Sequence, residues 1–288
     1  MENNKPVNPY VFLGILAIIW GSSFILMKEG LKHFSSYQVA AMRISFAGIA
    51  LLPFVKWRKV VIKAGDLKYF IISGILGSAI PAFLFTAAQT KISSSLAGAI
   101  NGLTPLFALL VAVVFVGVKF NKLKVYGVIV GLLGAFFLIV GQELNFDIKY
   151  TSLAVLAAVC YGINVNIIKQ KLNDYPPRLV AALPLAIISI IGVGVMLYLG
   201  FDVSWDQEQD IKSLVAIVIL AVVGTSLSLV MFNRLIQQTN TVFATSVTYL
   251  IPIVALFWGF LANETISSNQ MIGLGFILIA IWLIRKDK

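Results

Sequence analysis

Apolar runs long enough to cross a bilayer alternate with short polar breaks from one end of the chain to the other. A crossing helix needs about 20 mostly apolar residues. Ten stretches reach that length: 9–28, 36–55, 67–88, 94–117, 122–141, 149–169, 177–199, 211–234, 240–262 and 269–285. Several gaps are short, so nine crossings compete with ten in this reading. The pattern predicts an all-α membrane protein with ten transmembrane helices. The first run carries Trp20, Lys28 and Glu29 where a signal-peptidase site would have to lie, so a retained helix is expected.

The pattern also repeats. A shift of 147 positions aligns 77–111 with 224–258 without a gap, and seven of the 35 pairs are identical, among them Gly77/Gly224, Phe85/Phe232 and Pro105/Pro252. A shift of 141 pairs Trp20-Gly21 with Tyr161-Gly162 and Lys28 with Lys169. These correspondences predict two five-helix repeats, 1–144 and 145–288. Five is odd, so the second repeat enters the bilayer inverted relative to the first. The loops agree: 56–68 is basic, whereas its counterpart 200–212 holds Asp202, Asp206, Glu208 and Asp210. Inverted halves around a midplane site are characteristic of secondary transporters.

Composition removes most alternatives. The 288 residues are 59% hydrophobic and 12% charged, with mean hydropathy +0.95, whereas soluble domains carry about 25% charge. So few charges cannot coat a soluble globule of this size. One cysteine (Cys160) and one histidine (His33) exclude a disulfide framework, a multi-cysteine metal site and a His-rich metal centre. The net charge of +10 would suggest nucleic acid in a soluble chain, but here the basic residues sit between apolar runs and set orientation. With the N-terminus cytoplasmic, sixteen Lys and Arg fall inside and five outside (Lys28, Lys32, Lys91, Lys149 and Lys212), with Arg43 within a span. Both termini are therefore expected in the cytoplasm of a protein of the cell (inner) membrane.

Candidate chemistry concentrates in a few helices. Ser94, Gly98, Asn101 and Pro105 share one helical face, and Thr241, Thr245, Thr248 and Pro252 repeat it. Each proline should kink its helix and free the carbonyl four residues back, at Asn101 and Thr248. Such groups either line a wet cavity or mark close helix packing. Trp20 and Tyr161 lie at mid-depth, with Ser22, Ser23 and Asn164 beside them; they form an aromatic, hydrogen-bonding pocket wall or pack helices together. Tyr249, next to Thr248, is a further candidate. Arg43 is the one charge well inside a span. It docks a substrate carboxylate or phosphate, or it is structural and holds helix carbonyls or Glu29. No Asp or Glu lies at the middle of a span, which favours a facilitator or exchanger over a tightly proton-coupled pump. No phosphate loop, nucleophile constellation or metal-ligand spacing occurs, so no enzyme is expected.

The sequence resembles the EamA family of the drug/metabolite transporter superfamily. The resemblance rests on Trp20-Gly21-Ser22-Ser23-Phe24, Arg43, Leu103-Thr104-Pro105-Leu106, Pro252 and Asn263-Glu264-Thr265. It implies two inverted five-helix halves, no cofactor, and export or exchange of small metabolites, often amino acids or related compounds. One departure is visible: the Gly-Glu pair usual at the end of the fourth helix reads Gly117-Val118. The expected protein is thus a secondary transporter exporting a small polar metabolite, with Thr104 joining the candidate site. A multidrug or lipophilic-cation exporter of the same superfamily is the alternative. Its expected partners are the solute and the lipid bilayer, not nucleic acid, and it would act as a monomer or homodimer.

Overall fold

The computed structural model describes residues 8–55, 61–118, 122–139, 147–200, 202–251, 253–254 and 268–285. Every regular element among them is helical. In chain order they are α1 (Pro9–Gly30), α2 (Ser36–Leu51), α3 (Leu67–Gly74), α4 (Ile80–Ala88), α5 (Ser94–Asn101), α6 (Thr104–Val114), α7 (Lys122–Ile139), α8 (Ile148–Lys171), α9 (Pro177–Leu199), α10 (Glu208–Ala221), α11 (Ser228–Gln238), α12 (Thr241–Thr245) and α13 (Ser268–Arg285). Seven helical runs are long and apolar enough to cross a membrane, and Thr241–Ile251 and Met271–Ile284 are apolar but shorter. Large apolar side chains face outward all around, including Ile190 at 73% and Leu197 at 81% exposure. Water would make that surface costly; lipid makes it ordinary. This is a multi-pass helical membrane protein.

Helix starts follow from local chemistry. The Ser35 and Gln38 side chains form a reciprocal capping box before α2. Ser93 caps α5 and Asn240 caps α12, each accepting from the N–H three residues on. Those two caps lie 147 positions apart. The expected kink at Pro105 is a full break: α5 stops at Asn101 and Pro105 sits in the first turn of α6. There its missing N–H costs nothing. Pro252, the other expected kink, lies outside the described residues.

Two wide π turns interrupt the apolar runs, at Ile75–Ala79 between α3 and α4 and at Val222–Leu227 between α10 and α11. They too are 147 apart. Hydroxyls support the second one: Thr225 Oγ1 donates to the Leu220 carbonyl (3.1 Å) and Ser226 Oγ to those of Ala221 (3.1 Å) and Ala47 (2.8 Å). Carbonyls that the widened turn displaces are thereby satisfied inside the protein.

Helices meet through small residues, as expected where hydrocarbon gives no hydrophobic drive to association. The contact between α2 and α9 is reciprocal. A Cβ on Gly48 would meet the Leu185 carbonyl oxygen and Ser189 Cβ at 2.7 Å. A Cβ on Gly192 would meet Ser45 Oγ, with the Ala41 carbonyl oxygen at 2.8 Å. Moving 144 positions turns one contact into the other, Ser45 to Ser189 and Gly48 to Gly192. Gly127 and Gly134 likewise seat α7 on α13, against Ile284 and Ile277.

Gly48→Val and Gly192→Val should each lower the midpoint of thermal unfolding in detergent, by the equivalent of about 1–3 kcal/mol of overpacking. Gly14→Ala, where an added Cβ meets nothing within 4 Å, should leave the midpoint unchanged or raise it. Equal effects at the three sites would refute the backbone-contact reading.

Candidate functional site

α1 and α8 are the elements that set the site. The Trp20 indole N–H reaches across to the α10–α11 turn and donates to the Gly224 carbonyl (3.1 Å) and Ser228 Oγ (3.0 Å). Its ring meets Phe232 edge-on at 4.9 Å between centroids. Tyr161 on α8 stands against Phe85 at 6.1 Å, and Phe85 and Phe232 are 147 apart. The neighbouring contacts correspond as well. Ser23 lies over Gly224 and Asn164 over Gly77, leaving no room for a Cβ on either glycine. Gly21 takes Val254, and Gly162 takes Phe107, at 2.7 and 2.6 Å from where a Cβ would be.

Between these contacts lies a cavity of ≈ 1070 Å³ of empty space, open solvent at its mouth included. Trp20, Ser23, Arg43, Asn101, Thr104, Tyr161, Asn164, Thr245 and Thr248 all line it. The structure thus brings together nine of the residues singled out in the sequence. Asn101, Thr104, Asn164, Thr245 and Thr248 are all under a tenth exposed. Several polar groups are already engaged: Thr104 Oγ1 donates to Asn101 Oδ1 (3.3 Å), and Thr245 and Thr248 return to carbonyls of their own helix. Arg43 enters from α2, with its Nε donating to Thr225 Oγ1 at 3.0 Å and the guanidinium lying near the Tyr161 hydroxyl. It does not reach Glu29, which bonds Lys32 and Gln209.

Two candidates fall elsewhere. Tyr249 is fully buried with its ring over Gly131, and its hydroxyl donates to the Val128 carbonyl (3.3 Å); it packs its helix against α7 instead of facing the cavity. Ser22 is half-buried and outside the lining set. Other lining residues were not anticipated: Ser73, Ser78, Phe85, Thr225, Phe232 and Asn233. Phe85/Phe232 and Ser78/Thr225 are repeat pairs at a shift of 147, so that signal was already present. Asn233 pairs with Thr86, polar as well but outside the lining, whereas Ser73 pairs with Leu220, so periodicity alone could not have found Ser73.

Each helix bearing an aromatic wall residue is also tied at its C-terminal end. Lys28 Nζ donates to the Gln89 carbonyl at the end of α4 (2.8 Å). Lys169 Nζ donates to the carbonyls of Ile236, Gln237 and Thr239 at the end of α11 (3.0, 3.1 and 2.7 Å). A cation suits exposed helix-end carbonyls. The acceptors Gln89 and Ile236 are again 147 apart. Among the described residues no group of three or more His, Cys, Asp and Glu could hold a metal.

Fold and site together define a membrane protein whose helices surround a partly polar cavity. Residues 8–140 and 148–286 each match the EamA-like transporter family, and the chain belongs to that family. It is 26% identical over 285 residues to the "uncharacterized inner membrane transporter YedA" of Escherichia coli (strain K12), covering 95% of this chain and 89% of that one. It is 22% identical to the "probable amino-acid metabolite efflux pump" of Salmonella typhimurium, over 94% and 93% of the two chains. A solved crystal structure shares the fold, with TM-score 0.75 at 15% identity over 96% of each chain.

Trp20→Phe should keep the edge contact with Phe232 but lose the two indole hydrogen bonds, costing about 1 kcal/mol. Trp20→Ala should cost more, about 3–5 kcal/mol, because it also opens a void. Thermal unfolding of the two purified variants separates the contributions; equal losses would mean that the hydrogen bonds carry the whole contact.

Proposed function

We propose that the chain is a secondary transporter that moves a small polar metabolite, an amino acid or a related compound, outward across the cell membrane by alternating access. In this reading residues 1–144 and 145–288 are two inverted five-helix repeats, each with its own ties and both contributing to one central site. The observation that carries it is the exchange of contacts across the cavity: Trp20 on Phe232 with Tyr161 on Phe85, and Gly21 on Val254 with Gly162 on Phe107. Two copies of one unit that meet through the same contacts in both directions can rock about a shared site and remain packed at either extreme.

The lining supports a solute with polar groups. Asn164 and Asn233 each leave a buried side-chain oxygen without a partner, and such an atom is costly at membrane depth unless a ligand or water meets it. A lipophilic-cation exporter is the second reading. Against it, the lining among the described residues contains no Asp or Glu, and that chemistry would be expected to place an acid in the cavity.

Two measurements test the reading. With Cys160 replaced by Ala, single cysteines at Ala64, between α2 and α3, and at Asp206, in the corresponding loop between α9 and α10, should be modified by an impermeant maleimide from opposite sides of the cell, Asp206→Cys from outside. Labelling of both from one side sinks the inverted arrangement. In proteoliposomes, preloaded amino acids or their hydroxy and N-acyl derivatives should drive counterflow of the labelled solute. Absence of counterflow across the whole panel sinks the transport function.

A further inference from the structure

Arg43 is the only charged side chain among the described residues that line the cavity. Its surroundings are neutral: Nε donates to Thr225 Oγ1, which itself donates to the Leu220 carbonyl, and the Tyr161 hydroxyl lies nearby. None of the ion pairs among the described residues involves Arg43. A guanidinium has five N–H donors in a planar fork, and these neutral surroundings do not cancel its charge.

The rest of the lining divides into two kinds. Trp20, Phe24, Phe85 and Phe232 give it an apolar aromatic wall. Asn164 and Asn233, 6% and 2% exposed, present oxygens that lack a donor. Among the described lining residues the cavity therefore carries one positive charge with no acidic partner, inside a low-dielectric bundle, together with two neutral acceptors.

Electrostatics then ranks solutes by charge. A single negative charge neutralises the site and can pair with the fork in two-point fashion. A zwitterion supplies the same carboxylate but adds an ammonium that finds no carboxylate in the described lining and is repelled by Arg43. A cation meets only the repulsion. Like-charge juxtaposition in a desolvated site is an effective means of rejection.

We propose that the cavity selects organic monoanions: solutes with one carboxylate-type charge, an apolar or aromatic body, and an uncharged O–H or N–H donor for the asparagine oxygens. A hydroxy acid or an N-acylated amino acid fits, and a free amino acid is the poorer ligand. The proposal rests on the central cavity being the solute site of the transporter reading, and it fixes the charge of the solute.

Three probes with one phenyl body test it on the purified full chain: 3-phenyllactate, phenylalanine and phenethylammonium, titrated by calorimetry. Phenyllactate should bind roughly tenfold or more tighter than phenylalanine, which corresponds to about 1.4 kcal/mol, and phenethylammonium should not bind. Arg43→Gln should abolish the preference for the anion, and Arg43→Lys should keep part of it. Elution as a monodisperse species confirms that each variant is folded. Equal or tighter binding of phenylalanine or phenethylammonium overturns the proposal. So does unchanged phenyllactate affinity in Arg43→Gln, or no phenyllactate binding to the wild-type protein at tens of millimolar. Counterflow keeps the two readings apart. Anion-selective binding without exchange of any solute sinks the transport function and leaves the site; exchange of solutes with no preference for the anion sinks the site and leaves the transport function.

Discussion

A polar atom packed among helices in hydrocarbon must find its partner inside the protein, because no solvent is there to supply one. Most of this structure obeys that demand locally. Thr86, Thr245 and Thr248 return their hydroxyls to carbonyls of their own helix turns. Lys28 and Lys169 spend their ammonium groups on helix-end carbonyls. Asn166 joins α8 to α6 by donating to the Ala108 and Gly162 carbonyls, both at 2.9 Å. Where the demand is unmet, the places differ. Ser45 Oγ, Gln89 Oε1 and Thr151 Oγ1 lie away from the central cavity, whereas Asn164 and Asn233 belong to its lining, beside an arginine with no acidic partner among the described residues.

The same demand explains why the two matched segments are joined as they are. Within each, a lysine on a long helix closes the end of a neighbouring helix: α1 on α4 in the first, α8 on α11 in the second. Between them, contacts run through glycine and aromatic rings and through polar groups as well: Trp20 donates to Gly224 and Ser228, Arg43 to Thr225, Ser226 to the Ala47 carbonyl and Asn166 to the Ala108 carbonyl. Gly21, Gly77, Gly162 and Gly224 each let the opposing segment approach to a distance that a Cβ would forbid. The lysine ties hold helices together within a segment, while the glycine contacts set how closely the two segments approach.

Much of this was legible in the sequence. The apolar runs located the helices, and the repeat offsets of 141 and 147 located the facing pairs, because each half had to build the same contacts from the same chain positions. Trp20, Tyr161, Asn101 and Thr248 could be grouped on that ground alone. What was hidden depended on partners. Tyr249 and Thr248 are adjacent in sequence, yet only Thr248 reaches the cavity, since the break near Ser246 turns the Tyr249 ring onto Gly131. The π turns were also hidden. Gly77 and Gly224 marked the places, but the wider winding depends on which hydroxyls are near enough to take the displaced carbonyls.

The missing acid after the fourth apolar run shows how backbone need and side-chain role come apart. Gly117 holds φ +74°, a left-handed value that side chains disfavour. It follows α6 at the point where the Val118 N–H turns back to the Ala112 carbonyl at 3.0 Å. That return spans one residue more than the six-residue bond of a Schellman stop, and the left-handed glycine lets the chain double back whatever residue comes next. Valine at 118 donates the same backbone N–H that a glutamate would. The glycine is therefore explained by chain geometry alone, and a carboxylate at this position is not needed to end the helix. An acid here would have added charge at the helix end without changing how the chain turns, so its absence leaves the fold intact. The cavity is set by other residues, with Arg43 as its one charge among the described lining.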